Sequence, residues 1–255
     1  MHGKRPFPWP QQLPSLSLHD NPEQRVLRIT WCEHATVSAS IHAQDRNMGL
    51  RLESLLKAGS GIAALLHRRH RSGSLTIQLH DEDPGVGCLR MDAPLGADLE
   101  SSPLIPDPYC LGTNGYEEFR KQLLTNPPPS WRDRVPVVFW RGSTTGSKDI
   151  TPDNLECNLR YQLCRYSLYE PANLDARFNQ VVQCLNNKSR NAVHEQLRQQ
   201  GLMGRTVGPW HASLHAWLVD IDGNVNSWGL LWKLLSGCCV LRVTSHRQQW
   251  FHKRM

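Results

Sequence analysis

The sequence predicts an α/β fold, and three stretches carry that prediction. Residues 214–245 (LHAWLVDIDGNVNSWGLLWKLLSGCCVLRVTS) hold a short apolar run at 216–221 that breaks into an acidic, glycine-containing turn, Asp222-Gly223-Asn224. A helical pattern follows over 227–235, stops at Ser236-Gly237, and gives way to a second apolar run over 238–243. Strand, turn, helix, strand is the grammar of a βαβ unit. Residues 135–140 (VPVVFW) form a second strand, which runs into the glycine- and hydroxyl-rich loop 141–146 and then a helix. A helical stretch at 47–69, followed by a strand at 75–79 (LTIQL), repeats the alternation nearer the start. Strands alternating with helices define the α/β class.

Taken in order, residues 1–24 are Pro-rich and aperiodic, and are expected to form an irregular arm. Residues 25–44 alternate weakly, as one or two strands would. Within 47–69, Leu50, Leu52, Leu55 and Leu56 share a side, while Gly59-Ser60-Gly61 predicts a kink or two shorter helices. The strand at 75–79 must end at the acidic run and Pro-Gly of residues 80–85. Residues 86–110 read as loop, and 116–124 as a short helix halted by the prolines at 127–129. Thr151-Pro152 has the order of an N-cap and a first helical position, so a helix is expected from there to Tyr169. A strand at 178–182 and a helix at 191–199, ending at Gly201, complete the chain up to residue 214. Domains are expected at 46–130 and 131–255, with a separate arm and weak strands at 1–45 and a boundary in the Pro-rich 124–131.

Composition narrows the class. The chain is long enough to bury a sizeable core, and 20% charged residues with 39% hydrophobic residues fit a globular protein. The formal net charge of +6 suits an anionic ligand or surface, but the basic residues form no stripe, so no nucleic-acid partner is expected. Eight cysteines without CxxC spacing argue for a reducing compartment over a disulfide scaffold. The chain shows neither a signal-peptide run nor the roughly 20 apolar residues of a membrane span, so any membrane contact is expected to be peripheral.

The polar residues cluster at strand ends. Arg141, Gly142, Ser143 and Thr144 follow a buried-looking strand: glycine permits close backbone approach, hydroxyls donate, and arginine grips phosphate oxygens in pairs. A loop simply turning from strand to helix has the same composition. No P-loop pattern and no GxGxxG after a strand occurs. Asp81, Glu82 and Asp83 crowd three carboxylates at one strand end, the arrangement of a general base or of a solvated acidic turn. Asp220 and Asp222 alternate onto one side of their strand, beside Gly223 and Asn224, where they can hold a metal or sugar hydroxyls. The further acceptors of a calcium loop are missing. His211 and His215 lack the partners of a zinc site. Trp228 and Trp232, four apart, read as core.

FWRGSTTG (139–146) and VDIDGNVNSWGLLWKLLSGCCVLRV (219–243), followed by QQWFHKRM, resemble the family 90 glycosyltransferases. That family includes protein O-glucosyltransferases, fungal capsule-associated xylosyltransferases and bacterial lipopolysaccharide-modifying enzymes. SWGLLWKLLSG is similar to the bacterial branch, and LIPDPYCLGTNGYEEFR (104–120) and LDARFNQVVQ (174–183) also fit it. The matching segments span residues 75–255.

The resemblance implies a GT-B pair of Rossmann-like domains and metal-independent, inverting sugar transfer without a cofactor. The partners it implies are a nucleotide-sugar donor and a hydroxyl of a lipopolysaccharide or other glycan acceptor, at a cytoplasmic location or the cytoplasmic face of a membrane. IQLHD matches the segment holding the family's base, which implies Asp81, with Asp83 the alternative. Arg141, Gly142 and Ser143 fall on the loop that contacts the donor diphosphate, and Ser227 on the small hydroxyl residue of the donor pocket. Where eukaryotic members carry an arginine two positions after that serine, this chain has Gly229. Family members continue beyond the segment resembling QQWFHKR, so the resemblance implies an incomplete second domain. The alternative class is a non-catalytic sugar- or nucleotide-binding module, or an inactive remnant.

Overall fold

The computed structural model describes residues 12–20, 25–32, 37–81 and 87–252. The chain divides into two compact units, Met1–Gly115 with Arg247–Met255, and Tyr116–His246. Both are mixed α/β, with parallel strand pairs in each.

The first unit contains β1 (Ser15–His19), β2 (Val26–Trp31), β3 (Val37–His42), α1 (Leu50–His67), β4 (Gly73–Gln78), β5 (Cys88–Leu89), β6 (Ala93–Pro94) and α2 (Pro108–Gly112). Its five-stranded sheet has the order β1-β3-β2-β4-β5. β1 runs parallel to β3 and β5 to β4, whereas β2 is antiparallel to both β3 and β4. β3 and β4 therefore share a direction, and α1 is the crossover between them. The carboxyl ends of β1, β3 and β4 come to one end of the sheet.

Two expectations for this region change. β1 lies in the stretch expected to be irregular, because its SLSLH alternation finds a parallel partner in β3. α1 passes unbroken through Gly59-Ser60-Gly61. A Cβ on Gly59 would stand 2.8 Å from Ile77 Cδ1 and 2.9 Å from Ile29 Cγ1, so this glycine lets the helix press onto the sheet. Close packing, not a bend, accounts for it.

The second unit contains α3 (Glu117–Thr125), β7 (Val135–Ser143), α4 (Leu159–Tyr169), β8 (Leu174–Gln180), α5 (Asn187–Gln199), α6 (Pro209–Ala212), β9 (His215–Asp220), α7 (Leu230–Leu235) and β10 (Cys239–Arg242). β11 (Arg247–Gln248) then pairs antiparallel with β6 of the first unit. The four-stranded sheet of the second unit is wholly parallel, in the order β10-β9-β7-β8. Alternate residues of β7 feed two cores. Trp140 packs with Tyr161, Cys164, Phe178, Val193, Leu197 and Val219 on the α4 and α5 side, and Phe139 with Ala212, Leu218 and Trp232 on the α6 and α7 side. Helices cover both faces, as a parallel sheet requires.

α4 starts later than Thr151-Pro152 predicts. Its cap is Asn158, whose Oδ1 accepts from the N–H groups of Arg160 (3.0 Å) and Tyr161 (3.1 Å). The Asn158 amide also donates to the Thr144 carbonyl at 3.0 Å, so the helix start is fixed by its tie to β7. β8 likewise begins four residues before the expected 178, in register with Val138. The eight cysteines are free thiols. Among the described residues no helix is long and apolar enough to cross a membrane.

Asp107 caps α2, its Oδ1 accepting from Tyr109 and Cys110 N–H at 3.0 Å each. Its Oδ2 is buried without a hydrogen-bond partner. Burial pushes this carboxyl from 3.8 up to about 6, against the pull of the two amides. A raised carboxyl leaves stability intact below the unfolded value and removes it as pH climbs toward the folded one. Asp107→Asn keeps the capping oxygen, so it should stabilise the protein by roughly 1–2 kcal/mol above pH 6. The advantage should vanish below about pH 4. Chemical denaturation of both proteins across that interval checks this, and a pH-independent difference would refute it.

Candidate functional site

From β7 the chain goes through α4 to β8 on one side, and later returns to lay β9 on the other side of β7. This reversal opens a crevice at the carboxyl ends of β7 and β9, the position where open α/β sheets take ligands. The loop after β7 carries Thr144, Thr145 and Gly146, and the loop after β9 carries Ile221 through Ser227. Two motifs nearly 80 residues apart in sequence meet here: the Gly146 amide donates to Asn224 Oδ1 at 3.1 Å (|i−j| = 78).

The residue that joins the loops is Arg160, in the first turn of α4, which the sequence reading did not single out. Its Nε donates to the Asp222 carbonyl (2.9 Å), its Nη2 to the Ile221 carbonyl (3.0 Å) and its Nη1 to the Ser143 carbonyl (3.1 Å). Nη1 also donates to Thr145 Oγ1. A Cβ on Gly223 would stand 2.9 Å from Thr145 Oγ1 and 3.2 Å from Arg160 Nη2, so only glycine lets the second loop come this close. Burial pulls the guanidinium down to about 10, outweighing the attraction of Asp220 and Asp222. The signal in the sequence is a cation in a helix's first turn, where the helix dipole disfavours it.

The sequence-derived residues divide by role. Ser143 contributes its carbonyl to Arg160 and its hydroxyl toward Thr145 Oγ1 at 3.4 Å. Thr144 is fully buried and exchanges hydrogen bonds with the Val182 backbone at 2.7 and 2.8 Å, anchoring the loop to the segment after β8. Gly142 answers to packing: a Cβ there would lie 2.5 Å from the Trp140 ring. The Arg141 side chain lies over Phe139, on the α6 and α7 face, with its guanidinium 4.4 Å from that ring. It donates to the Asp175 carboxylate at 2.7 Å and to the carbonyls of Trp140 and Asp175.

Asp220 and Asp222 are both engaged. Asp222 accepts from the Ser227 amide at 3.1 Å and the Ser245 hydroxyl at 2.5 Å, which shapes the turn after β9. Asp220 forms a buried ion pair with Lys233 of α7 at 2.7 Å. Burial pushes the Lys233 ammonium down while Asp220 pulls it back up. Asn226 is only 4% exposed, yet neither atom of its amide has a hydrogen-bond partner. Buried amides are normally satisfied, so this one is an exception within the turn after β9.

The first unit has its own polar cluster, at the shared carboxyl end of β3 and β4. Asp81 pairs with Arg51 at 3.2 Å, and Arg51 also donates to the Leu79 carbonyl at 3.0 Å. Asp83 lies outside the described residues. Beside Asp81, His80 Nε2 is 2.9 Å from Asp45 Oδ1, and Arg25 grips the same carboxylate at 2.5 and 3.0 Å. The same His80 nitrogen lies 3.1 Å from Arg25 Nη2, so the three side chains form one cluster. Burial raises the Asp45 carboxyl, but the Arg25 hydrogen bond and the His80 contact hold it below the usual range.

The second unit is thus a parallel α/β sheet with helices on both faces, and its switch point gathers hydroxyls, a buried amide and one arginine. Such a donor set suits an anionic, hydroxylated ligand. A cavity of about 490 Å³ lies elsewhere on the α4 face among Val138, Leu163, Leu174 and Leu241, and is mainly apolar. No family model matches the chain, and no curated protein matches it.

The Asp220–Lys233 pair is testable. Lys233→Met leaves a buried carboxylate without its cation and should cost roughly 3–5 kcal/mol. Asp220→Asn combined with Lys233→Met should cost much less than the two single changes summed. Chemical denaturation of the four proteins measures the coupling; strictly additive losses would show that the pair contributes nothing.

Proposed function

We propose that this chain is a metal-independent, inverting glycosyltransferase that moves a sugar from a nucleotide-sugar donor to a hydroxyl of a lipopolysaccharide or other glycan acceptor. One observation carries the reading: the two sequence blocks that resemble family 90 glycosyltransferases meet at the switch point of a parallel sheet. Composition does not require two such distant blocks to meet there. On this reading the donor diphosphate lies against the loop after β7, with Ser143 and the amides near Gly146 as donors. The sugar or nucleoside is read by the loop after β9, including Asn224, Asn226 and Ser227. The GT-B pairing of two Rossmann-like domains belongs to the same proposal.

Acceptor activation falls to the polar cluster of the first unit, where the resemblance puts the base at Asp81. The acceptor oxygen attacks the sugar C1 as its proton passes to the base. The C1–O bond to the diphosphate breaks, and the electron pair leaves with the nucleoside diphosphate. Hydrogen-bond donors fixed at the leaving group lower the barrier because they need no reorganisation as charge develops.

A panel of nucleotide sugars, assayed for transfer and hydrolysis and paired with calorimetry of each nucleoside diphosphate, tests the proposal. Turnover of at least one donor, with tighter binding of its diphosphate than of its nucleoside, is the expected result. Diphosphate binding without turnover would replace the enzyme by a non-catalytic module. Absence of binding across the panel would remove the reading.

A further inference from the structure

We propose that Arg160 supplies the positive charge that receives a diphosphate at this crevice, acting through the Thr145 hydroxyl and the Nη2 hydrogen not given to Ile221. The inference rests on the donor reading above and names the residue within it.

The geometry gives three reasons. Every hydrogen-bond partner of the Arg160 side chain is a neutral oxygen, the carbonyls of Ser143, Ile221 and Asp222 and the Thr145 hydroxyl, and its guanidinium lies 5.7 Å from the Trp140 ring centre. The nearby carboxylates are committed elsewhere, Asp220 to Lys233 and Asp222 to the Ser227 amide and Ser245 hydroxyl. Its charge is therefore held in place without a direct counterion. Second, Thr145 Oγ1 accepts from Arg160, which orients that hydroxyl to donate its own hydrogen onward. Ser143 Oγ stands 3.4 Å from the same oxygen, so two hydroxyls and a guanidinium converge at the end of β7. Third, Gly223 lets the loop after β9 pack directly against Thr145 Oγ1 and Arg160 Nη2, which fixes both groups at the end of β7, since a Cβ there would stand against both. Burial of the guanidinium at a cost, expressed in its lowered pKa, is a cost that an incoming anion offsets.

Arg141, the arginine of the loop motif itself, is the obvious rival. Its guanidinium is bound to the Asp175 carboxylate at 2.7 Å and stacked on Phe139, so its charge is already neutralised. Arg160 has no such carboxylate.

The test is calorimetric titration of inorganic pyrophosphate, a set of nucleoside diphosphates and the matching nucleosides into four proteins: wild type, Arg160→Lys, Thr145→Val and Arg198→Ala. Lysine keeps the charge but loses the fork, and valine keeps the shape but loses the hydroxyl. Arg198, exposed on α5 beside Glu195, controls for net charge. Diphosphate affinity should fall at least about tenfold in Arg160→Lys and in Thr145→Val, as expected for loss of a charge-assisted hydrogen bond. Nucleoside affinity should stay within about twofold in both, and Arg198→Ala should match wild type throughout. A protein merely loosened by substitution would lose nucleoside and diphosphate affinity alike. If Arg160→Lys fails to fold, Thr145→Val decides alone. Diphosphate binding unchanged in the folded variants overturns the role of Arg160 and leaves the donor reading standing. No diphosphate or pyrophosphate binding by wild type overturns both.

Discussion

The second unit depends on one half-buried cation, Arg160. A parallel sheet ordered β10-β9-β7-β8 leaves two loops at its switch point, each ending in carbonyls that no strand partner satisfies. Arg160 satisfies three of them at once, at 2.9 to 3.1 Å, and thereby fixes the distance between the loops. A planar guanidinium is suited to this because its five N–H groups leave in a fixed fork. A lysine ammonium presents the same charge without the spacing. Helix α4 delivers the arginine because Asn158 caps it and is itself tied to the Thr144 carbonyl. Strand, cap and clamp form one chain of hydrogen bonds.

The charges around the crevice follow from that arrangement. Two cations, Arg160 and Lys233, and two carboxylates, Asp220 and Asp222, lie in a small volume, but only Asp220 and Lys233 are directly paired. Asp222 works as a turn-former, using both oxygens on Ser227 and Ser245. The alternation that puts Asp220 and Asp222 on one side of their strand therefore does not make them twin ligands. Arg160 remains the group whose hydrogen bonds all go to neutral oxygens, with Asp220 and Asp222 attracting it only from a distance, and such an arrangement stabilises a charge less completely than a paired counterion does.

Much of this was legible from spacing. The runs at 135–140 and 216–221, and the glycine-containing turns that end them, predict the strands and the polar ends that the fold brings together. Roles were less legible than positions. Gly142 reads as a phosphate-approach glycine, but Trp140 two residues earlier explains it. Thr151-Pro152 has the composition of a helix start, but the tie from Asn158 to β7 outweighs it. Gly59-Ser60-Gly61 suggests a break, yet Ile29 and Ile77 press against the glycine and keep the helix whole. In the last two cases a contact from farther along the chain decided among local options of similar energy. Asp45 could not be found by pattern at all, since its partners, Arg25 and His80, are separated from it by 20 and 35 residues.

Gly229 belongs to the same arrangement of charge. Position 229 is where the resemblance to the family 90 enzymes would put the arginine of their eukaryotic branch, and this chain has glycine there. In this fold a Cβ there would stand 3.1 Å from Trp232 Nε1 and 3.4 Å from both Cε and Nζ of Lys233. An arginine at 229 would have to start beside an ammonium that is already buried and paired with Asp220. Like charges so close are costly in a low-dielectric site. With Lys233 occupying that side, the proposed diphosphate would take its cation from another element, and the first turn of α4 is the element that carries Arg160 to the loops. The absence of arginine at 229 and the presence of one at 160, against the helix dipole, are then two sides of one arrangement of charge.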